Sequence, residues 1–159
     1  RHITISKSGI VPQIYEFTDE PRQVNLAISL HASNNEIRTK IMKVNIAYPI
    51  EDVIAAAKNY VDKTNRRITF EYILLENVND EIAHANELSD LLRGINCHVN
   101  LIRYNTVTEF YYRGSNQNRA TSFHQQLTKR GINATLRKEQ GSDIDAACGQ
   151  LRHKNRKKN

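Results

Sequence analysis

The sequence predicts an α/β fold in which about five parallel strands alternate with helices. Runs rich in β-branched and aromatic residues recur along the chain, and stretches with apolar residues at helical spacing separate them. Strands that alternate with helices favour parallel pairing through right-handed crossovers. The length of 159 residues and the 39% apolar composition are sufficient for one domain with one core.

The first elements are two strands and a helix. Strands are predicted over 2–6 and 24–30, and the second is nearly continuous in apolar residues, as a strand covered on both faces would be. A helix is predicted over 34–44, where Asn34 or Asn35 is a candidate cap and three apolar side chains share one face: Ile37, Ile41 and Val44.

The later elements continue the alternation. Three more strands are predicted over 67–75, 98–104 and 133–139. One helix, which starts near Pro49, is predicted before these strands, and two are predicted between them: one from Asp80 to about Arg93 and one over about 115–130. Gly94 and Gly131 follow the last two helices, as C-terminal glycines commonly do.

Composition restricts the protein class. No apolar run approaches the about 18–20 residues that a membrane span needs, and no secretory leader is present, so we expect a soluble, cytoplasmic protein without a membrane partner. Two cysteines make no disulfide framework. A strand pattern follows Arg1 almost at once, so we expect the chain to be cut from something longer, because an open parallel edge is normally covered.

The positive charge is concentrated at one end of the chain. Residues 152–159 carry five Lys and Arg residues and no acid. The whole chain has a formal net charge of +6, so the residues before this tail have a net charge of +1. Such a tail is typical of a disordered, solvated end. A specific RNA contact is the alternative.

Small polar residues follow the strands at their carboxyl ends. Ser6 and Ser8 follow the first strand, Ser29 and His31 the second, and Asn105 a later one. Ligands of parallel α/β folds bind at this edge of the sheet. The three clusters together favour a polar ligand such as a nucleoside, although each residue is also typical of ordinary turn chemistry.

A lone thiol, Cys148, lies between two carboxylates and the basic tail. If Asp145 caps a short helix, the thiol is close to unpaired N–H groups that favour a thiolate, while Asp143 and Asp145 oppose it by repulsion. A small buried hydrophobe is the alternative for Cys148, and it is our interpretation of Cys97. No Walker, GxGxxG, GxSxG or HExxH motif is present, and the histidines are not at metal-ligand spacing with the cysteines.

Five stretches resemble one known family: "ITISKSGIVP", "VNLAISLHASNNEIR", "FEYILLENVND", "HVNLIRYN" and "GSDIDAACGQL". The chain is similar to the RlmN/Cfr family of radical SAM methyltransferases, which methylate an adenine of large-subunit ribosomal RNA. The resemblance runs in order over all but the basic tail, and "DIDAACGQL" is its most specific motif. It implies that residues 1–151 form the carboxyl-terminal half of a partial (β/α) barrel, including the loop of the methyl-carrier cysteine, and that 152–159 are a basic tail.

The resemblance also implies a site. S-adenosylmethionine would bind at the strand ends through the matching residues Ser6, Ser29, Leu30, His31 and Asn105. Cys148 matches the cysteine that the family first methylates and then uses as the carrier of the new carbon. In the family's scheme a 5′-deoxyadenosyl radical removes hydrogen from that methyl, the carbon radical adds to the base, and a second cysteine releases the product by forming a disulfide.

The sequence departs from the family in its cysteines. The family's 4Fe–4S cluster needs three cysteines in a CxxxCxxC loop, and this chain has two in all, 51 positions apart. We therefore expect the cluster ligands, the second catalytic cysteine and the RNA-binding domain on a missing amino-terminal half, and an isolated chain that is inactive.

Three hypotheses follow for the function. The chain is part of a methyltransferase acting on 23S rRNA, with transfer RNA as a further candidate substrate. Carbon 2 is favoured over carbon 8 by "FEYILL". Alternatively, it is a non-catalytic RNA-binding remnant or truncated pseudo-enzyme, or an unrelated small α/β module.

Overall fold

A computed structural model of the chain describes residues 3–21, 24–104 and 112–139. Its centre is a five-stranded sheet in the order β1-β2-β3-β4-β5, and every neighbouring pair is parallel. The strands are β1 (Thr4–Lys7), β2 (Asn25–Ser29), β3 (Ile68–Ile73), β4 (Cys97–Tyr104) and β5 (Ala134–Glu139). The predicted α/β class, with about five parallel strands, is confirmed.

Helices connect the strands in the described segments. They are α1 (Val11–Thr18), α2 (Asn35–Ile41), α3 (Val44–Ala47), α4 (Ile50–Thr64), α5 (Ile82–Leu92) and α6 (Gln117–Lys129). Within those segments, none of the helices combines the length and the apolar character that crossing a membrane requires.

The two faces of the sheet have different cores. On one face, alternate strand residues such as Leu26, Phe70 and Leu101 pack against α1, α4, α5 and α6 in one large apolar cluster. On the other face, Ile73 and Ile102 pack against α2 and the residues around it in a smaller cluster. The smaller cluster lies at the carboxyl ends of β3 and β4, so it closes only part of the second face.

Several helix ends confirm the capping predictions. The side chain of Asn34 accepts a hydrogen bond of 2.9 Å from the backbone N–H of Ile37 and caps α2. Gly94 and Gly131 have φ angles of 83° and 85°, in the left-handed region that glycine tolerates best. α5 begins at Ile82, two residues later than predicted, and the buried side chain of Asp80 contacts Ser115 and, on α6, Arg119.

Two features differ from the predicted pattern. The single helix predicted over 34–44 ends at Ile41, because Met42 takes an extended conformation and is buried in the smaller cluster. Val44 therefore starts a separate short helix, α3. The eight-residue helix α1 was not predicted, and it is stabilised by packing against α4, including the tilted ring pair Phe17–Tyr60 with centroids 6.2 Å apart.

Candidate functional site

Four of the six predicted site residues lie within the described segments. Ser6 is exposed on the edge strand β1, and Ser29 is the last residue of β2 and buried. Because Ser6 pairs with Ala27, and Ser29 is two residues further along β2, both hydroxyls are on the sheet face opposite the large cluster. The other two residues, Asn105 and Cys148, lie outside the described residues, as does the basic tail 152–159.

Leu30 and His31 follow Ser29 in a turn that is fixed by hydrogen bonds to β3 and to Arg38. The N–H groups of Leu30 and His31 donate to the carbonyl of Glu71 on β3, at 3.0 and 3.2 Å. The carbonyls of Ser29 and Leu30 accept hydrogen bonds of 3.0 Å each from the guanidinium of Arg38. Both residues of the turn are at most 1% exposed.

The ring of His31 is held in one tautomer. The backbone N–H of Ile73 donates to Nδ1 of His31 at 3.0 Å, so Nδ1 has no proton and the neutral ring carries its proton on Nε2. Burial, with a smaller contribution from the charge of Arg38, lowers the pKa of His31 from 6.5 to about 3. His31 also has a φ of 58°, so the residue is in the left-handed region. The imidazole is therefore a neutral hydrogen-bonding group at physiological pH.

Asn79 connects this turn to the loop that follows β3. Its side-chain N–H groups donate to the carbonyls of His31 and Ile73, both at 2.8 Å, and its side-chain oxygen accepts from the N–H of Leu75, also at 2.8 Å. The side chain is fully buried, so all three contacts are shielded from water. The carboxyl ends of β2 and β3 are thus fixed relative to each other.

A row of polar residues crosses the sheet beside Ser29. The register pairs Ser29 with Glu71, Glu71 with Asn100 and Asn100 with Thr135. Thr135 Oγ1 donates to Asn100 Oδ1 at 3.4 Å, and Oγ1 also lies 3.1 Å from Nε2 of His98. The row provides carboxylate, amide and hydroxyl groups on the same face as Ser6.

This row of polar residues was not predicted from the sequence. The signal was present in the alternation of polar and apolar residues at the start of the strands: Thr69 and Glu71 in "ITFEYI", and His98 and Asn100 in "CHVNLI", alternate with apolar residues. Alternation of this kind in buried parallel strands indicates that one face of the sheet is covered by apolar helices and that the other faces a polar space.

The chain is similar to known proteins in sequence and in architecture. No protein-family model matches the chain. Over 156 residues, 98% of its length, it is 55% identical to the probable dual-specificity RNA methyltransferase RlmN of Staphylococcus aureus strain JH9, and equally to that of strain Newman. The chain belongs to the RlmN family. It spans 43% of the length of these RlmN relatives.

Two solved structures are similar to this chain in fold. A radical SAM methyltransferase from Sphaerobacter thermophilus superposes with a TM-score of 0.83 and 48% identity, over 94% of this chain and 44% of that one. A domain of the pyruvate-formate lyase-activating enzyme from Bacteroides vulgatus is 16% identical with a TM-score of 0.66, over 85% of this chain and 80% of that domain, so it shares the fold alone. The predicted α/β fold is confirmed as a five-stranded parallel sheet that matches part of a radical SAM methyltransferase structure.

The described residues of this RlmN-family chain do not fit an iron–sulfur cluster. Along the segments 3–21, 24–104 and 112–139, no three His, Cys, Asp or Glu side chains converge as metal ligands would. Cys97, at the start of β4, is 5% exposed, and burial raises the pKa of its thiol from 9.0 to about 11. Our interpretation of Cys97 as a small buried hydrophobe is confirmed.

Proposed function

We propose that this chain forms part of a radical SAM methyltransferase that methylates an adenine of RNA, with Cys148 as the carrier of the transferred carbon. The observation that carries the proposal is the 55% identity over 98% of the chain to proteins described as RNA methyltransferases. The proposed substrate is an adenine of 23S rRNA at carbon 2, and transfer RNA is the second candidate substrate.

The proposed cofactor is S-adenosylmethionine, whose role is to supply the methyl group. The residues that would hold it are Ser6, Ser29, Leu30, His31 and Asn105. Hydroxyl groups, a neutral imidazole and backbone groups at the ends of parallel strands suit the sugar and base of a nucleoside. The turn at Leu30 and His31 is fixed by Glu71, Arg38 and Asn79 without any ligand, so it is preorganised for binding.

The iron–sulfur cluster of the family does not fit this chain, because its two cysteines cannot provide three thiolate ligands. In the proposal, the cluster ligands and the second catalytic cysteine belong to the part of the RlmN relatives that this chain does not match.

The edge of β1 is where we propose that this other part packs. A groove of about 480 Å³ lies between β1 and α1, with Ile3, Ile5 and Phe17 among its lining residues. Ile3 is 56% exposed and Ile5 is 37% exposed, which is unusual for apolar residues of a parallel strand. A further strand paired with β1 would cover both side chains.

The test is a hybrid enzyme in which this chain replaces the matching segment of the S. aureus relative. The hybrid is expressed in cells that lack their own RlmN, and methylated adenine in ribosomal and transfer RNA is measured by mass spectrometry after nuclease digestion. We expect methylation from the hybrid, its loss in Cys148→Ala, and its retention in the matched control Cys97→Ala.

Two results would count against the proposal. A folded, cluster-loaded hybrid that leaves the RNA unmethylated would favour a non-catalytic RNA-binding remnant. Equal activity of Cys148→Ala and the unsubstituted hybrid would remove Cys148 from the mechanism.

A further inference from the structure

Arg38, on α2, is a buried cation at the carboxyl ends of β1 and β2. Its side chain is fully excluded from solvent, and it is the largest of the fully buried side chains in the described residues. In those same segments no carboxylate forms an ion pair with it. Burial lowers the pKa of the guanidinium from 12.5 to about 10, so Arg38 remains charged at neutral pH.

Oxygen atoms surround the guanidinium of Arg38. Nη2 donates to the carbonyls of Ser8 at 3.1 Å and Ser29 at 3.0 Å, and Nε donates to the carbonyl of Leu30 at 3.0 Å. Nη1 donates to the side-chain oxygen of Asn45 at 3.2 Å. One planar group therefore joins the chain after β1 to the end of β2, which only the fixed fork of an arginine can do with this geometry.

Asn45 is itself oriented for this contact. Its side-chain N–H groups donate to Thr39 Oγ1 at 2.9 Å and to Asn35 Oδ1 at 3.0 Å, which leaves the side-chain oxygen directed at Arg38. Asn35 Nδ2 in turn donates to the carboxylate of Glu51 at 2.7 Å. The guanidinium is thus held by a second layer of hydrogen bonds.

The glycine after Ser8 makes room for the guanidinium. Gly9 has a φ of 94°, and a Cβ atom at this position would lie 2.6 Å from Nη2 of Arg38. Any other residue would displace the Nη2 group that binds both Ser8 and Ser29. Gly9 and Arg38, which are 29 positions apart in the sequence, therefore act together.

From these contacts we propose that Arg38 is a positioning residue for the nucleoside-binding strand ends. It holds Ser29, at the end of β2, and the following Leu30 at a fixed distance from Ser8 in the loop after β1. Binding then needs no ordering of this turn, so its entropic cost is lower. This inference rests on the proposed function, because it concerns the same S-adenosylmethionine site.

The test compares Arg38→Lys with a matched control, Arg119→Lys. Lysine keeps the positive charge but cannot reach three carbonyls at once. Arg119 lies on α6, donates a hydrogen bond of 2.9 Å to Asp80 and contacts no residue of the proposed site. Arg119→Lys therefore reports a general loss of stability. Gly9→Ala is a second variant, which disturbs the guanidinium while keeping its chemistry in case Arg38→Lys does not fold.

The first measurement is amide hydrogen exchange in the full chain without ligand. In Arg38→Lys, the amides of Leu30 and His31 should exchange at least about tenfold faster than in the unsubstituted chain. The amide of Leu74, which donates to Ile102 at 2.9 Å, is the internal reference and should change by less than about twofold. Arg119→Lys should leave the Leu30 and His31 amides unchanged relative to Leu74.

The second measurement is the dissociation constant of S-adenosylmethionine in the hybrid enzyme defined above. Arg38→Lys and Gly9→Ala should weaken binding at least about tenfold, and Arg119→Lys by less than about twofold. Unchanged exchange, or faster exchange with unchanged binding, would overturn the positioning role. A hybrid that neither binds the cofactor nor methylates RNA would instead refute the proposed function, and the positioning role with it.

Discussion

The pH dependence of stability provides a sharp test of how His31 is built into the fold. Burial lowers the pKa of His31 to about 3, compared with 6.5 in the unfolded chain. Below pH 6.5 the unfolded chain takes up a proton that the folded chain excludes, so acid stabilises the unfolded state. Midway between pH 6.5 and about 3, each unit of pH should therefore lower the free energy of unfolding by about 1.4 kcal/mol through this residue alone, and by less near either limit.

The substitution His31→Asn isolates that contribution. Asparagine can accept the hydrogen bond of 3.0 Å from the N–H of Ile73 through its side-chain oxygen, and it tolerates the φ of 58° at this position. It cannot be protonated in this range. The carboxylates titrate in both proteins, so they cancel in the difference between them.

The assay is urea unfolding of the chain and of His31→Asn at a series of pH values from 7.5 to 4.5. We expect the free energy of unfolding of the chain, relative to that of His31→Asn, to fall by about 1.0 kcal/mol between pH 6.5 and 5.5, and by about 1.3 kcal/mol in the next unit. Parallel stability curves for the chain and for His31→Asn would refute the assignment of a neutral, buried ring.

Three other expectations concern stability and reactivity. Asp80→Ala should lower the free energy of unfolding in urea by about 3 kcal/mol, because it leaves Arg119 without its buried partner and removes the acceptor of two further hydrogen bonds; a loss below about 1 kcal/mol would contradict this. Gly9→Ala should reduce the thermal midpoint more than Gly131→Ala, since both positions have positive φ but only the first would place a Cβ atom against Arg38; equal shifts would show that the contact is unimportant. In a Cys148→Ser background, the Cys97 thiol, with a pKa of about 11, should react with a disulfide reagent at pH 8 only after denaturation; rapid labelling of the folded chain would contradict its burial.

The strands were predictable because the residue types that favour an extended backbone are also the types that pack in the core of the folded chain. The run "ITFEYI" in β3 is rich in β-branched and aromatic residues, and Ile68, Phe70 and Tyr72 pack in the larger core. Helix α1 was not predictable on that basis. Its eight residues include Pro12 and β-branched or aromatic residues, and contacts with α4 decide its conformation.

The break after Ile41 also depends on tertiary packing. Apolar spacing alone continued the helix to Val44, but burial of Met42 against the second face of the sheet stabilises an extended residue there. A pattern within one element cannot show which neighbouring element will cover it.

The candidate site was predictable only in part. The strand-end positions of Ser29 and His31 follow from the α/β pattern, because parallel strands bring their carboxyl ends to one edge. Arg38 and Asn79 could not be assigned this way, because a charged and a polar residue on or beside a helix usually face solvent. Their burial depends on carbonyls that converge only in the folded chain.

The most direct test of the central claim is a mass measurement on Cys148. The hybrid enzyme is purified from cells in which it methylates RNA, and the peptide containing Cys148 is compared with the peptide containing Cys97. We expect a sulfur carrying the mass of one added methyl group, or a disulfide, at Cys148, and an unmodified thiol at Cys97. Active enzyme in which Cys148 stays a free, unmodified thiol at every stage of turnover would contradict it.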